Sequence, residues 1–202
     1  MQLRKMLLII PFIFTNSILG QEGAYEHDGF YLRLLGGAGY AQLTEENVMG
    51  SDLKFTGLGS PANIQIGGTI SNNFILFGHI GGLVISDPDL EWMGQSSTTS
   101  NLSVSMYDVG AGITYYLMPS NFYLCLSLLS SQASLEYENT TGDSEFGFGL
   151  NVLIGKEWWV GDDWALGPSL YFYYSTMKDK GEGEDYTINN FSIGVLFSAT
   201  YN

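Results

Sequence analysis

The chain has 202 residues, the size of one domain, and its acidic residues outnumber its basic ones by 21 to 7. This acidic excess disfavours nucleic acid and anionic membrane surfaces as partners. A single cysteine, Cys125, excludes an internal disulfide framework, while 26 glycines and a low content of charged residues favour an exported all-β protein.

The first predicted element is a secretory signal over residues 1–20. Arg4 and Lys5 precede a short apolar run, and small or polar residues follow near Gly20. The run is too short to cross a bilayer as a helix, and no later segment has the roughly 18 consecutive apolar residues of a transmembrane helix. We therefore expect cleavage after Gly20 and one domain over residues 21–202, with five basic against 21 acidic residues, a formal charge of −16.

After the signal, the hydrophobic pattern has a period of two, which is typical of β-strands. In GFYLRLLGGAGYA, for example, Phe30, Leu32 and Leu34 alternate with Tyr31 and Arg33. Seven more segments alternate in the same way. The eight predicted strands lie at 29–41, 60–71, 74–85, 102–117, 122–137, 146–158, 164–176 and 188–202.

The predicted connections alternate in length along the chain. The short ones lie at 72–73, 118–121 and 159–163, and the longer, acidic ones lie at 42–59, 86–101, 138–145 and 177–187. An up-and-down meander with this alternation has all its short turns at one end and all its long loops at the other. Transmembrane barrels have this layout, with short periplasmic turns and longer outside loops.

The composition of the two strand faces separates a membrane barrel from a soluble barrel such as a lipocalin. A soluble barrel needs an outer face rich in charged residues. Here the less hydrophobic face is mostly Gly, Ser, Thr, Asn and Tyr, which suits the narrow interior of an eight-stranded barrel. The aliphatic and aromatic face then points outward into lipid, and closure satisfies every backbone hydrogen bond between strands.

The whole domain resembles the small outer-membrane β-barrel proteins of Gram-negative bacteria, the OmpA/OmpX-like superfamily. The segments VGAGITYYLMPSNFYL and NFSIGVLFSATYN carry the resemblance, together with the signal and the eight alternating strands. It implies an all-β, eight-stranded antiparallel up-and-down transmembrane β-barrel in the bacterial outer membrane. It also implies that the last strand, which ends in Tyr201 followed by Asn202, is read by the barrel-insertion machinery.

The ionisable residues expected inside the barrel are Arg33, His79, Asp108 and Glu157. Unpaired charges in a confined interior are costly, so we expect a polar network in the lumen, with Arg33 and Glu157 together near the periplasmic end. A ring selective for ions is the alternative interpretation. His27 is expected in a solvated tail, and the chain has neither a GxSxG nor an HxS element to supply a nucleophile.

The acidic stretches DPDLEW and KDKGEGEDY do not have the carboxylate spacing of a calcium loop, so we interpret them as solvated outside loops. The sequence therefore predicts no catalytic residue, no cofactor and no metal.

Three tryptophans surround the third short turn. Trp158, Trp159 and Trp164 are predicted to lie at the periplasmic membrane interface, where an indole places its ring in lipid and its N–H in water. Pro168 has no backbone N–H and predicts a bulge or an unpaired position in the next strand.

The sequence favours a non-catalytic barrel with a structural or surface-interaction role, in envelope integrity or in adhesion through the acidic outer loops. A narrow pore or a channel for hydrophobic solutes is the second interpretation, and a barrel enzyme that modifies lipid A is the third. The expected partners are the outer-membrane bilayer and the insertion machinery, with an extracellular ligand left open. The expected state is a monomer.

Overall fold

The computed structural model describes residues 27–138, 140–180 and 185–202, which are almost entirely antiparallel β-sheet. The predicted signal, residues 1–20, lies outside the described residues. Within the described ranges, no helix is long and apolar enough to span a membrane. The strands are β1 (Phe30–Val48), β2 (Ser51–Ser71), β3 (Phe74–Ser86), β4 (Asp89–Trp92), β5 (Gln95–Thr98), β6 (Leu102–Leu117), β7 (Phe122–Tyr137), β8 (Thr140–Asp143), β9 (Gly147–Lys156), β10 (Trp158–Trp159), β11 (Trp164–Lys180) and β12 (Asp185–Tyr201).

Eight of the described strands close into a barrel. Each pairs antiparallel with the next in the order β1, β2, β3, β6, β7, β9, β11 and β12, and β12 pairs back with β1. The four short strands are additions, because β4 and β5 form a hairpin beside β2, β8 pairs with β7, and β10 pairs with β11. The predicted eight-stranded antiparallel up-and-down barrel is confirmed.

The stagger of the strands sets the width of the barrel. Paired residues followed once around the ring lead from Arg33 through Gln65 and His79, and finally through Asn190 to Leu43. The path therefore climbs from residue 33 to residue 43 of β1, a shear of ten residues. Barrels with eight strands tilt them by about 35–45° and have an interior just wide enough for side chains.

The three predicted short turns are confirmed. β2 and β3 are separated by 72–73, β6 and β7 by 118–121, and the third turn lies between β10 and β11. Asn73 and Asn121 adopt φ angles of 63° and 54° in the first two turns. Asparagine tolerates this left-handed backbone better than most residues, which is why it marks tight turns.

Strand structure extends into all four predicted long loops, and the short strands β4, β5 and β8 lie within 86–101 and 138–145. β1 and β2 run on to a tight turn at 49–50, so most of 42–59 is a hairpin, and β11 and β12 occupy much of 177–187. The charged residues in these segments suggested loops. Beyond the membrane, however, the outer face of a strand meets water, so charged residues there are compatible with continuing sheet.

The lipid-facing surface is bounded by two rings of aromatic side chains. On β1, β11 and β12 the two rings are ten residues apart, as between Phe30 and Tyr40. At about 3.3 Å per residue and a tilt near 40°, ten residues rise about 25 Å, the height of the apolar band of outer-membrane barrels. The ring at the short-turn end consists of Phe30, Phe74, Tyr115, Phe122, Trp158, Trp164 and Tyr201, and the other ring consists of Tyr40, Tyr107, Phe148, Tyr174 and Phe191.

We call the end with the short turns the lower, periplasmic end and the end with the hairpin extensions the upper, extracellular end. Inward residues follow every second position on each strand. In the lower half they are mostly polar and aromatic, and in the upper half mostly aliphatic. The upper set includes Leu43, Phe55, Ile85, Val104 and Ile188.

Candidate functional site in the barrel interior

A buried ion pair lies at the lower end of the lumen. Arg33 enters on β1, and Glu157 follows the last residue of β9. Both side chains have 0% exposure, and Arg33 Nε lies 3.4 Å from Glu157 Oε1. Thr200 of β12 accepts a 3.0 Å hydrogen bond from the same Nε. The first and the sixth barrel strands thus bring opposite charges together across the interior.

Hydroxyl groups surround the carboxylate of Glu157. Its Oε1 accepts hydrogen bonds from Ser198 and Thr200, each at 2.7 Å, and its Oε2 accepts one from the Tyr116 hydroxyl, also at 2.7 Å. The Tyr116 hydroxyl in turn accepts a hydrogen bond from Nη2 of Arg33. These hydrogen bonds give the buried carboxylate polar partners in place of the water that it lacks in the lumen.

Aromatic rings pack around the guanidinium of Arg33. Its Cζ lies 4.0 Å from the ring centroid of Tyr123 and 5.3 Å from that of Tyr31, distances typical of cation–π contacts. Gly155 makes room for this packing, since a Cβ there would lie 2.5 Å from the Tyr123 ring. The missing side chain of Gly155 in the barrel wall therefore leaves the space that the Tyr123 ring occupies in the lumen.

His27 closes the lower opening, so the expectation of a solvated tail at this position is wrong. The residue has 0% exposure, its ring stacks on Tyr116 at 3.5 Å, and its Nε2 lies 2.7 Å from Oδ1 of Asn121. The side chain of Thr69 donates to the His27 carbonyl at 3.0 Å. Burial lowers the pKa of His27, while its hydrogen bonds and nearby Glu157 act in the opposite direction.

Asp108 forms a separate cluster higher in the lumen. Its Oδ1 accepts hydrogen bonds from the hydroxyls of Ser131, at 2.6 Å, and Tyr173. His79 is 2% exposed, and in the described part of the chain no hydrogen bond or ion pair joins it to Arg33 or Asp108. Of the four residues predicted for the lumen, the structure brings Arg33 and Glu157 together, and it leaves His79 and Asp108 apart from them.

The upper end of the lumen opens into a mainly apolar cavity of about 200 Å³. Its lining combines apolar side chains, among them Leu43 and Ile188, with the carboxylates of Glu45, Asp143 and Asp179. Burial and repulsion from Asp179 raise the pKa of Glu45. We call this cavity the mouth cavity. Among the described residues, no cluster of three or more His, Cys, Asp or Glu side chains has the arrangement of a metal site.

The structure separates the three tryptophans of the third turn. Trp158 and Trp164 are 44% and 39% exposed and belong to the lower aromatic ring. Trp159 alternates to the other face, as neighbours in a strand do, and its ring lies 5.1 Å from that of His27. It therefore lies under the barrel opening, not on the lipid-facing surface.

Sequence reasoning missed the hydroxyl and aromatic partners that complete the lower network. Tyr31, Tyr116, Tyr123, Ser198 and Thr200 are all inward residues near the lower ends of their strands. The alternating pattern indicates that these residues face the lumen, and their positions in the strands indicate that they lie near the short turns. Which of them face one another depends on the stagger of the strands, which the sequence does not display.

No family model matches the chain, and no curated protein matches it. Among solved structures, outer membrane protein OprG from Pseudomonas aeruginosa has a TM-score of 0.50 at 7% identity, covering 87% of this chain and 98% of that one. Neisserial surface protein A has a TM-score of 0.47 at 19% identity, with 83% and 96% covered. The outer membrane protease OmpT from Escherichia coli has a TM-score of 0.48 at 9% identity, with 89% and 99% covered.

At these identities the likeness concerns the fold, which together with the lipid-facing band defines a transmembrane β-barrel. The chain therefore has the architecture of a small outer-membrane β-barrel. Because one fold can host unrelated activities, this fold alone does not separate an enzyme from a non-enzyme.

Proposed function

We propose that this protein is a non-conducting, non-catalytic barrel that acts at the cell surface through its extracellular hairpins. Two features together carry the proposal. Buried side chains fill the lower lumen, and the barrel strands continue past the upper aromatic ring. Arg33 and Glu157 are fully buried, while β1 continues eight residues beyond Tyr40, to Val48.

The sealed lumen supports the non-conducting part of this proposal. A pore requires a continuous water path, and side chains with no solvent access interrupt such a path. Arg33, Tyr31, Tyr116 and Tyr123 are each at most 1% exposed, and they lie at one level of the barrel. Their mutual contacts, with His27 below them, favour a packed seal over an ion-selective ring.

The charge of the outer hairpins supports the surface-interaction part. Acidic side chains extend above the upper aromatic ring on several hairpins, and they include Glu45, Glu46, Asp52, Asp87, Asp89, Glu91, Glu136, Glu138, Asp143, Glu145 and Asp179. Acidic residues outnumber the lysines on these hairpins, and a predominantly acidic surface attracts cationic partners, an attraction that salt screens. We infer that the partner presents a cationic surface.

The test combines a conductance recording with a binding assay. The protein should give no conductance steps in planar bilayers. Cells that display it should adhere to a polylysine-coated surface at low salt, and the triple variant E45Q/E46Q/D52N should adhere less. The control variant D162N/D163N removes two acidic charges at the periplasmic turn and should adhere like the wild type. Stable conductance steps would reject the seal, and equal adhesion of the triple variant would reject the acidic hairpins as the contact surface.

The mouth cavity favours a second candidate function, the retention of a hydrophobic solute. Its lining includes Leu43, Phe55, Val104 and Ile188, and it opens toward the extracellular end. Transfer of an apolar solute from water into such a cavity is favourable, because it removes apolar surface from water. The sealed lower network would hold such a solute at the mouth and prevent its passage through the lumen.

A further inference from the structure

Lys156 is a basic residue on the lipid-facing wall of the barrel. It is the last residue of β9, with its side chain directed outward just above the lower aromatic ring. Among the described residues, no other basic side chain lies on the outer surface between the two aromatic rings. A cation at this depth is tolerated near the interface, and an anionic partner at the headgroup level would stabilise it.

A groove in the barrel wall begins at Lys156. β9 pairs with β11 up to Gly155 and Ser169, and pairing resumes at Trp158 and Leu166 in the same register. Between these pairs the ladder is interrupted opposite Pro168, which has no N–H to donate. The unpaired position predicted for Pro168 is therefore confirmed on the β9 side, while on its other side Pro168 pairs with Phe197 of β12.

The groove beside this interruption has a volume of about 320 Å³. Its lining is mainly apolar, with Phe122, Ile154, Leu170 and Val195 among the residues that form it. These residues belong to β7, β9, β11 and β12, so the groove runs across the lower half of the lipid-facing band. A groove in this place faces acyl chains.

The ammonium of Lys156 is held at the lower edge of the groove. Its Nζ donates to the Ser120 carbonyl at 3.1 Å and lies 4.7 Å from the ring centroid of Phe122 and 5.4 Å from that of Trp158. An ammonium has three N–H donors, and this hydrogen bond uses one of them. The contacts fix the position of the charge and leave donors for an anion at the headgroup level.

We propose that this groove binds one glycerophospholipid of the periplasmic leaflet, with the lipid phosphate at Lys156 and an acyl chain along the apolar lining. The depth of Lys156 matches a headgroup, its charge matches a phosphate, and the mainly apolar lining of the groove matches an acyl chain. The site is independent of the extracellular role proposed above, because it lies at the opposite end of the barrel and faces lipid.

The test is native mass spectrometry of the full-length protein released from bilayer nanodiscs. Parallel arms contain phosphatidylglycerol or phosphatidylethanolamine in a phosphatidylcholine background. The wild type should retain a bound phospholipid, and Lys156→Gln should reduce retention about tenfold, the effect of losing one charge-assisted hydrogen bond. Lys156→Arg should restore retention, and Lys54→Gln, which removes a lysine of the extracellular hairpin, should retain lipid like the wild type.

A folded Lys156→Gln protein, verified by its heat-dependent gel mobility, that retains lipid as well as the wild type would overturn the proposal. The same holds if Lys54→Gln loses as much lipid as Lys156→Gln. A second substitution tests the groove itself, since Leu170→Trp should reduce retention while leaving Lys156 in place. Displacement of the lipid by soluble glycerol phosphate would show that the headgroup alone is bound and would reject the acyl-chain groove.

Discussion

The lower and upper halves of the barrel interior are lined by the same eight strands but are filled in opposite ways. The lower half holds Arg33 and Glu157 among hydroxyls and aromatic rings that leave them no exposure. The upper half holds aliphatic side chains around the mouth cavity of about 200 Å³. One alternating wall thus encloses a packed polar network at its lower end and a mainly apolar cavity at its upper end.

The largest expected effect comes from breaking the seal at Arg33. Arg33→Met leaves the Glu157 carboxylate buried without its cation, which costs about 3–5 kcal/mol of unfolding free energy. We expect this loss in urea unfolding from phospholipid vesicles, followed by tryptophan fluorescence. The control Lys54→Met breaks the half-exposed pair with Glu91 and should cost less than about 1 kcal/mol. Equal losses of unfolding free energy in the two variants would contradict the expectation that the buried ion pair stabilises the barrel more than the half-exposed one.

An intermediate effect on the unfolding free energy is expected when a larger side chain is introduced into the lower half of the lumen, and a smaller effect when it is introduced into the upper half. Gly155→Ala adds one carbon against the Tyr123 ring and should cost about 1–3 kcal/mol, because overpacking displaces a fixed side chain. Ala133→Phe adds more volume, but next to the mouth cavity, and should change the unfolding free energy by less than about 1 kcal/mol. The same urea titration measures both variants.

Ala133→Phe also tests the second candidate function. By filling the mouth cavity it should abolish the fluorescence enhancement of an apolar naphthylamine dye added to the extracellular side. Unchanged dye binding would remove the cavity as a solute site, and a greater loss of stability than that of Gly155→Ala would reverse the comparison of the two halves.

The smallest expected effect is a pH dependence of the lower end. His27 has a lowered pKa in the folded protein because it is buried, so the unfolded chain binds a proton more readily. Neutral His27 contributes its full stabilisation of the folded protein above a pH of about 6.5, the pKa of histidine in the unfolded chain. This stabilisation decreases as the pH falls from there toward the pKa of His27 in the folded protein. The wild type should therefore lose more stability than His27→Gln between about pH 7.5 and pH 5.5. Identical pH profiles would show that protonation of His27 does not weaken the seal.

Much of the fold was predictable because membrane strands must satisfy a strict physical constraint. Lipid on one side and a narrow lumen on the other impose alternation at every position, so the eight strands and their short turns could be predicted from parity alone. The constraint ends at the upper aromatic ring. Beyond Tyr40 the outer face meets water, and the hairpin formed by β1 and β2 was therefore interpreted as an acidic loop.

The candidate site was predictable only in part, for a related reason. The parity of Arg33 and Glu157, and their position near the lower strand ends, indicated a shared level in the lumen. Nothing local indicated that His27, outside the first strand, would fold under the barrel and stack on Tyr116. Likewise, alternation places the side chains of Trp158 and Trp159 on opposite faces of the strand. Only the contact with His27 shows that the Trp159 ring lies under the barrel opening.

The sequence by itself determined which side chains face lipid, which face the lumen, and how far apart the two aromatic rings lie, because these follow from a period of two and a fixed rise per residue. The tertiary structure alone decided which inward residues meet. Closure with a shear of ten residues brings Arg33, Glu157 and Tyr116 together from distant parts of the chain. That stagger is a property of the closed ring, so no single strand contains the information that sets it.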